Sequence, residues 1–460
     1  MMQLHELPED VLRVVLSFAD VYAVISLSGT NRHLRSLATS RLVWLHLLRR
    51  LHFRGFVDGE SPESLASKTQ GELVEIVQRM VLGPFSWRVR KNSVFKSISK
   101  FGRTSSSSKS GPIQPSKLYT LHPEIERSKK NDAYLLAGGD YVLFGNRTVE
   151  CWKVVEDECI WAHEKREPQA DWHVTHFAAD IHPGGRAVNV IVCTALFEGE
   201  FVVHYIDVMR LDLDAGQSTS LVQGEFSAEN SRVAAGAKLC GSLASFTTVQ
   251  YGSSTVEHTL IKLDDDMKPF LTLSSARPSL IALTNEHIVI LQDPPNLESP
   301  ELRLLSINDT KSGLGWTQYP DSPNAVDIGQ LSDVHMTSVP FKSMPSWRPP
   351  WRRSLHVHRN PLEDGSYRIW IRWGGSLSGN EEQIELRRRV DSKAEFVGST
   401  ISYSGHAECA DLNDHRIYAP GKKEAVASVA LPEGAPFGHL SPYSGAIAYY
   451  GETLRVAFFA

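Results

Sequence analysis

The chain is poor in cysteine, in long apolar runs and in any excess of positive charge, and each shortage excludes a class of protein. Its five cysteines, Cys151, Cys159, Cys193, Cys240 and Cys409, are odd in number, widely spaced and without a CxxC pair. Neither a disulfide framework nor a zinc site is signalled, and a reducing compartment fits. No run of about eighteen apolar residues offers a membrane-spanning helix. Glu6, Glu9, Asp10 and Arg13 interrupt every candidate signal-peptide core near the start. A formal net charge of -5 over 460 residues leaves no global surplus of Lys and Arg with which to hold nucleic acid or an anionic membrane. The expectation is a water-soluble intracellular protein, cytoplasmic, nuclear or both.

Catalytic signatures are missing as well. There is no GxSxG elbow, no HExxH, no phosphate-binding GxxxxGKS/T and no GxGxxG after a strand. His173 and His176 in "DWHVTHF", and His356 and His358 in "LHVHR", lack a third ligand at metal-site spacing, so they read as strand or loop histidines bonded to backbone. "LDLDAG" (211–216) has the first half of a calcium loop without its later acidic ligands and reads as a turn, as do Asp264 to Asp266. No catalytic residue, metal or cofactor is predicted, and an enzymatic role has no positive support.

What is present is a turn-rich globular composition, 42% hydrophobic and 22% charged with 32 glycines and 24 prolines. The length exceeds what one core usually organises, which favours several domains or one large closed β architecture. Up to about residue 82 the apolar residues recur at helical spacing, as in Val11, Leu12, Val15, Leu16, then Leu34, Leu37, Ala38, then Leu73, Ile76, Val77, Met80. Asp20, Thr30, Ser61 and the Thr69/Glu72 capping box supply starts, and Gly83-Pro84 a stop. From Ser86 to Lys109 there are seven basic residues, Arg88, Arg90, Lys91, Lys96, Lys100, Arg103 and Lys109, and no acidic one. This segment reads as a linker, or alternatively as a local nucleic-acid patch aided by Trp87, Phe95 and Phe101.

Beyond residue 118 the period changes to that of strands. "YLLAGGDYVLFGNRTVECWKV" (134–154) is a three-stranded meander, and similar units follow at 243–263, 279–307, 367–373 and 445–459. Their spacing, on the order of 40 to 60 residues, suits the blades of a propeller, whose closure removes exposed strand edges. A pair of β-sandwiches is the alternative. The last strands either complete a first blade or form the final one. "VPFKSMPSWRPPWRR" (339–353) breaks the pattern as a long loop, and its Trp347 and Trp351 are candidate recognition residues. The predicted fold class is thus a multidomain α plus all-β chain: a helical region over 1–50, a helical spacer over 51–85, a basic serine-rich linker over 86–118 and a propeller-like domain over 119–460.

"LPEDVLRVVLSFADVYAVISLSGTNRHLRSLATSRLVWLHLL" (7–48) resembles the F-box, the helical motif by which substrate receptors join SCF-type ubiquitin ligases. The likeness runs from Leu7-Pro8 and an acidic residue through Val11-Leu12, Leu16-Ser17-Phe18, Ile25, Leu27, Asn31-Arg32 and Leu37 to Val43-Trp44 and Leu47-Leu48. Ala19-Asp20, "VYAV" (21–24) and Gly29-Thr30 depart from the common pattern. The resemblance implies three short helices over 1–50 that bind the SCF adaptor, the S-phase kinase-associated protein, and through it a cullin. Leu7, Pro8, Val11, Leu12, Leu16, Ile25 and Leu27 are the implied adaptor contacts, while Leu34, Leu37, Val43, Trp44 and Leu48 hold the motif together. The β domain would present an unknown client protein, with Trp347 and Trp351 as possible client contacts. The alternative function is a propeller scaffold or interaction protein, less readily an enzyme, whose first helices are only structural.

Overall fold

In the computed structural model the described residues are 7–57, 61–87, 113–124, 132–164, 172–182, 185–198, 201–227, 232–250, 255–277, 279–292, 301–307, 316–317, 325–328, 331, 336–339, 353–373, 380–385, 393–395, 401–411, 414–419, 425, 427–429 and 439–459. Trp347, Trp351 and the basic residues from Arg88 to Lys109 lie outside them.

The chain opens with six helices: α1 (Glu9–Phe18), α2 (Val21–Ser28), α3 (Arg32–Ala38), α4 (Arg41–Phe53), α5 (Pro62–Ser67) and α6 (Gln70–Leu82). Asp20 caps α2 by accepting from the Ala23 N–H at 2.6 Å, and Ser61 caps α5 from Ser64 at 3.1 Å. Thr69 and Glu72 form the reciprocal box at the start of α6. Asn31, not Thr30, caps α3, accepting from the Leu34 N–H at 2.8 Å. The expected three helices of 1–50 are in fact four, because "RLVWLHLLRRLHF" is a thirteen-residue helix of its own. It buries Val43, Trp44, Leu45, Leu47, Leu48 and Leu51, an apolar surface wide enough to serve as the spine against which α1, α3, α5 and α6 pack.

Seven small sheets follow among the described residues. Six are built from strands that follow one another in the chain, except that Val326–Asp327 interrupts the fourth and pairs parallel with Phe270–Ser275 of the third. They begin with the inner strands Asp132–Leu135, Trp172–Ile181, Arg232–Cys240, Ser279–Leu283, Arg353–Arg359 and Ala407–Asp411, taken here as blades one to six. The seventh blade joins His439–Leu440, Ile447–Tyr450 and Leu454–Phe458 to Lys117–Leu121, which pairs antiparallel with Leu454–Phe458 in the register Lys117↔Phe458. The last blade is therefore completed by the first strand of the β region, so no blade is left to be finished by the C-terminus alone. Linker residues were expected as far as 118, but Lys117 and Leu118 belong to this strand. At the other end of the linker Trp87 is fully buried between the sixth and seventh blades.

The ring is closed by its cores. Leu143 and Cys151 of the first blade pack with Val190 and Val192 of the second, Ile191 and Val208 of the second with Ala244 and Ile261 of the third, and Leu260 and Leu271 of the third with Ile288 and Ile290 of the fourth. Val289 and Leu302 then meet Ile369 and Ile371 of the fifth, Trp370 meets Tyr418 of the sixth, and Ile417 meets Leu440 and Ile447 of the seventh. Ala446 and Val456 return to Ala133 and Val142 of the first. A circular succession of face-to-face sheets is a seven-bladed β-propeller. Two sandwiches would pair the sheets instead of passing the core around a ring.

His258 lies inside this ring, fully buried between Thr247 Oγ1 and Ser279 Oγ, each 2.9 Å from one ring nitrogen. Burial pushes its pKa down to about 4. A depressed histidine contributes stability that is complete above the unfolded value near 6.5 and is lost as pH falls toward 4, at about 1.4 kcal/mol per pKa unit. The thermal midpoint is expected to drop between pH 6.5 and 4.5, and to drop less in His258→Gln; midpoints measured across that range check this.

Candidate functional site

Nearly every position of "VLRVVLSF" (11–18) is apolar, and the fold divides them into two stripes. Leu12 and Leu16 turn inward and are 1% and 2% exposed in one cluster with Leu34, Leu37, Val43, Trp44 and Leu48. Val11, Val14, Val15 and Phe18 turn outward at i, i+3, i+4 and i+7, with Phe18 75% exposed. On α2, Val21 and Val24 are buried while Tyr22, 60% exposed, and Ile25 continue the outer stripe. Six large apolar side chains within fifteen residues thus face solvent on two consecutive helices, a concentration that soluble surfaces avoid unless something covers it.

This places the adaptor residues implied by the sequence unequally. Pro8, Val11 and Ile25 are exposed, and Leu7 and Leu27 are half-buried against the helical core. Leu12 and Leu16 are corrected: they are core, because a partner cannot reach side chains already enclosed by α3 and α4. Leu34, Leu37, Val43, Trp44 and Leu48 are buried around them. Val14, Phe18 and Tyr22 were not among the implied contacts, although Val14 and Phe18 stand at i+3 and i+7 from Val11.

The outer stripe is held in one orientation. The Arg50 guanidinium of α4 donates to the carbonyls of Phe18 at 2.7 Å and Ala19 at 3.0 Å, closing the C-terminus of α1 with a positive charge. The same side chain lies 3.6 Å from Asp364 in the first hairpin of blade five, and Arg54 also pairs with Asp364. The Tyr22 N–H donates to the Leu362 carbonyl of that hairpin at 2.9 Å. Phe56 meets Tyr443 of blade seven edge-on at 4.7 Å. Gly445 has φ of +76°, and a Cβ there would come within 2.7 Å of the Trp87 ring, so only glycine lets this hairpin sit so close. The helices therefore dock on the hairpins that follow the inner strands, at one end of the propeller axis.

Beneath them the inner strands converge. Arg359 of blade five reaches across to Asp180 of blade two at 2.5 Å, and Asp180 also accepts from the Gly241 N–H of blade three at 2.6 Å. Burial opposes the charge on Arg359, and the Asp180 carboxylate more than offsets it, raising the arginine pKa. Tyr443 donates to the Arg359 carbonyl at 3.0 Å. A cavity of about 160 Å³ beside this layer is lined by Arg54, His182, Asn285, Arg359 and Tyr367.

Three of the four paired histidines make hydrogen bonds within the fold. His176 Nε2 lies 3.2 Å from the Ala234 carbonyl, His356 Nε2 3.0 Å from Ser354 Oγ, and His358 Nε2 2.9 Å from the Ile401 carbonyl. Among the described residues no group of three His, Cys, Asp or Glu side chains is placed to hold a metal ion. Asp212 accepts from the N–H groups of Asp214 and Ala215, both at 2.9 Å, as a turn residue does.

The fold and site together define a protein with a helical unit, apolar on its outer face, set on one end of a seven-bladed propeller. Residues 4–46 match the family model described as the F-box domain, and the chain carries that domain. No curated protein matches the chain. Among solved structures it is similar to an oligogalacturonate lyase in complex with manganese, at 10% identity and TM-score 0.41 over 76% of this chain and 96% of that one. It is also similar to the WD40 domain of SCAP from fission yeast, at 9% identity and TM-score 0.36 over 71% and 81%. A third is the β-propeller domain of Nup133 from Vanderwaltozyma polyspora, at 8% identity and TM-score 0.33 over 73% and 83%.

Proposed function

We propose that the chain is the substrate-recognition subunit of an SCF-type ubiquitin ligase. The F-box domain binds the S-phase kinase-associated adaptor, and through it a cullin, and the propeller binds a client protein. The observation that carries this reading is the exposed stripe of Val11, Val14, Val15, Phe18, Tyr22 and Ile25 on the F-box helices. Pro8 and half-buried Leu7 border it. The chain supplies position: it raises the effective concentration of client beside a ubiquitin-charged enzyme and leaves the covalent steps to its partners.

The test is retention of the purified adaptor by the full chain, with Val15→Asp and Phe18→Asp as variants. Each places a charge in an apolar contact, and adaptor affinity is expected to fall at least thirtyfold, about 2 kcal/mol or more. Thermal midpoints should stay within about 3 °C of the parent, since exposed positions rarely contribute more than about 0.5 kcal/mol to folding. Absence of adaptor binding by the parent chain, or equal binding by the variants, overturns the reading.

A further inference from the structure

Where the helical domain meets blades seven and one there is a cavity of about 360 Å³, lined from both sides. Its size lies at the lower end of small-molecule sites, about 300 to 1,000 Å³. Two cations reach it from different domains. Arg79 comes from α6, whose apolar side is turned inward through Leu73, Ile76, Val77 and Met80. Lys117 comes from the strand that closes the ring. Neither side chain makes a hydrogen bond or ion pair among the described residues. Asp140, in the first turn of blade one, is the one acidic residue among the described residues of the lining.

The rest of the wall is largely apolar and built on strands and tight turns. Side chains alternate along a strand, so Lys117 and Tyr119 point the same way. Phe458 is the register partner of Lys117 and meets the Tyr119 ring edge-on, at 5.9 Å between centroids. Val155 stands in the turn after Val149–Lys153 and is 62% exposed, an apolar wall residue left open to solvent. The Val154 N–H donates to the Asp140 carbonyl at 2.8 Å, which fixes the two turns of blade one against each other. An aromatic and aliphatic wall beside two unpaired cations suits a ligand with an apolar body and an anionic head.

We infer that this cavity binds an aromatic monocarboxylate, its oxygens on Arg79 and Lys117 and its ring against Tyr119, Phe458 and Val155. The charge balance selects the carboxylate. Arg79 and Lys117 against Asp140 leave one positive charge, which a monoanion neutralises and a phosphate dianion exceeds. The edge-on pair of Tyr119 and Phe458 selects a flat body, since a third ring packs against it with favourable geometry. The ligand is either a free aromatic acid or the C-terminal aromatic residue of a protein chain. Because Arg79 belongs to the helical domain and Lys117 to the propeller, the bound carboxylate ties one to the other. The inference stands independently of the ligase reading, which rests on α1 and α2.

The test uses the full chain with hydrocinnamate, its amide, acetate, phenyl phosphate and an N-acetylated Gly-Gly-Phe peptide with a free C-terminus, at matched ionic strength, with ligand NMR line broadening as the readout. Hydrocinnamate is expected to bind about tenfold or more tightly than the amide, acetate or phenyl phosphate. Arg79→Met and Lys117→Met are each expected to weaken it about tenfold, the scale of one charge-assisted hydrogen bond. Val155→Asp changes an exposed position, places a carboxylate in the cavity and is expected to abolish binding; it provides a second variant if Arg79→Met disturbs α6. A peptide that binds about tenfold or more tightly than hydrocinnamate assigns the ligand to a protein C-terminus; otherwise a free acid is its source. Absence of binding by both aromatic carboxylates, equal binding of hydrocinnamate and its amide or acetate, equal binding by the parent and these variants, or phenyl phosphate binding as tightly as hydrocinnamate overturns the inference. Adaptor retention measured on Arg79→Met should equal the parent's, so a failed cavity site and a failed ligase reading give different results.

Discussion

Leu16→Asp is expected to unfold the helical domain, whereas Phe18→Asp, two residues later on the same helix, leaves it folded. Leu16 is 2% exposed against α3 and α4. Truncating such a leucine alone costs about 2 to 5 kcal/mol, and an unpaired carboxylate in its place adds a desolvation penalty of several kcal/mol more. The total is comparable with the whole stability of a domain, about 5 to 15 kcal/mol. Phe18 is 75% exposed, and the same charge there remains in water. Circular dichroism at 222 nm and limited proteolysis of the two variants separate the effects: lost helicity and rapid cleavage within 7–82 for Leu16→Asp, parental behaviour for Phe18→Asp. Both variants lose the adaptor under the proposed function, but only Phe18→Asp identifies a contact. Loss of adaptor in Leu12 or Leu16 variants would report folding.

The two stripes also show what the sequence could convey. Apolar residues at 11, 12, 14, 15, 16 and 18 cover an arc of about 200° around α1 at about 100° per residue, wider than one buried face needs, so periodicity identifies a helix with two candidate inner faces. Which one points inward depends on α4, whose buried Val43, Trp44, Leu47 and Leu48 are brought against α1 by tertiary packing alone. The family pattern marks conserved-type positions without distinguishing contact from core, and for Leu12 and Leu16 it was read the wrong way. In the β region the turns are local, so "AGGDY" and "FGNRT" announce the hairpins of blade one, and its strands appear where expected. Blade number and closure depend on distant pairing. Lys117–Leu121 joins a strand more than 300 residues later, and nothing within five residues of "KLYTL" specifies that partner. The pair of Asp180 and Arg359 was illegible for the same reason: its members, from blades two and five, come together only because the ring closes.

Docking of the helices on the first hairpins of the blades has a directional consequence. Gly55 lies against Ala137 and Ile181, Gly185 against the Phe53 carbonyl, and Tyr22 on Leu362, so the helical domain occupies the ends of the inner strands in blades one, two and five. In the proposed receptor the adaptor is then held on one side of the propeller, and a client is offered the opposite end of the axis. The ion pair between Asp180 and Arg359 ties blade two to blade five at the end where the helices sit.

Removing either member of that pair is expected to destabilise the propeller by about 3 kcal/mol, since an unpartnered, largely buried charge remains. Both side chains are 24% exposed, so water relieves part of the penalty. The two single variants should differ in pH dependence. In Arg359→Met the stranded Asp180 carboxylate can take up a proton. Burial, the largest influence on it, already raises its pKa, and the opposing pull of Arg359 is then gone. A carboxyl group with a raised folded pKa contributes stability that is present at low pH and lost as pH rises through that value. Arg359→Met should therefore lose less stability, relative to the parent, at pH 5 than at pH 8. In Asp180→Asn the stranded group is a guanidinium, which stays charged across this range, so the deficit should persist at both pH values. Replacing both, as Asp180→Leu with Arg359→Met, should recover much of the loss, because an apolar pair of similar volume has no charge to desolvate. Urea unfolding of the parent, these variants and the Asp180→Leu single variant at pH 5 and pH 8 closes the double-mutant cycle and measures the coupling. Additive losses in the double variant, or equal pH profiles for the two single variants, would show that the pair does not span the channel as a unit.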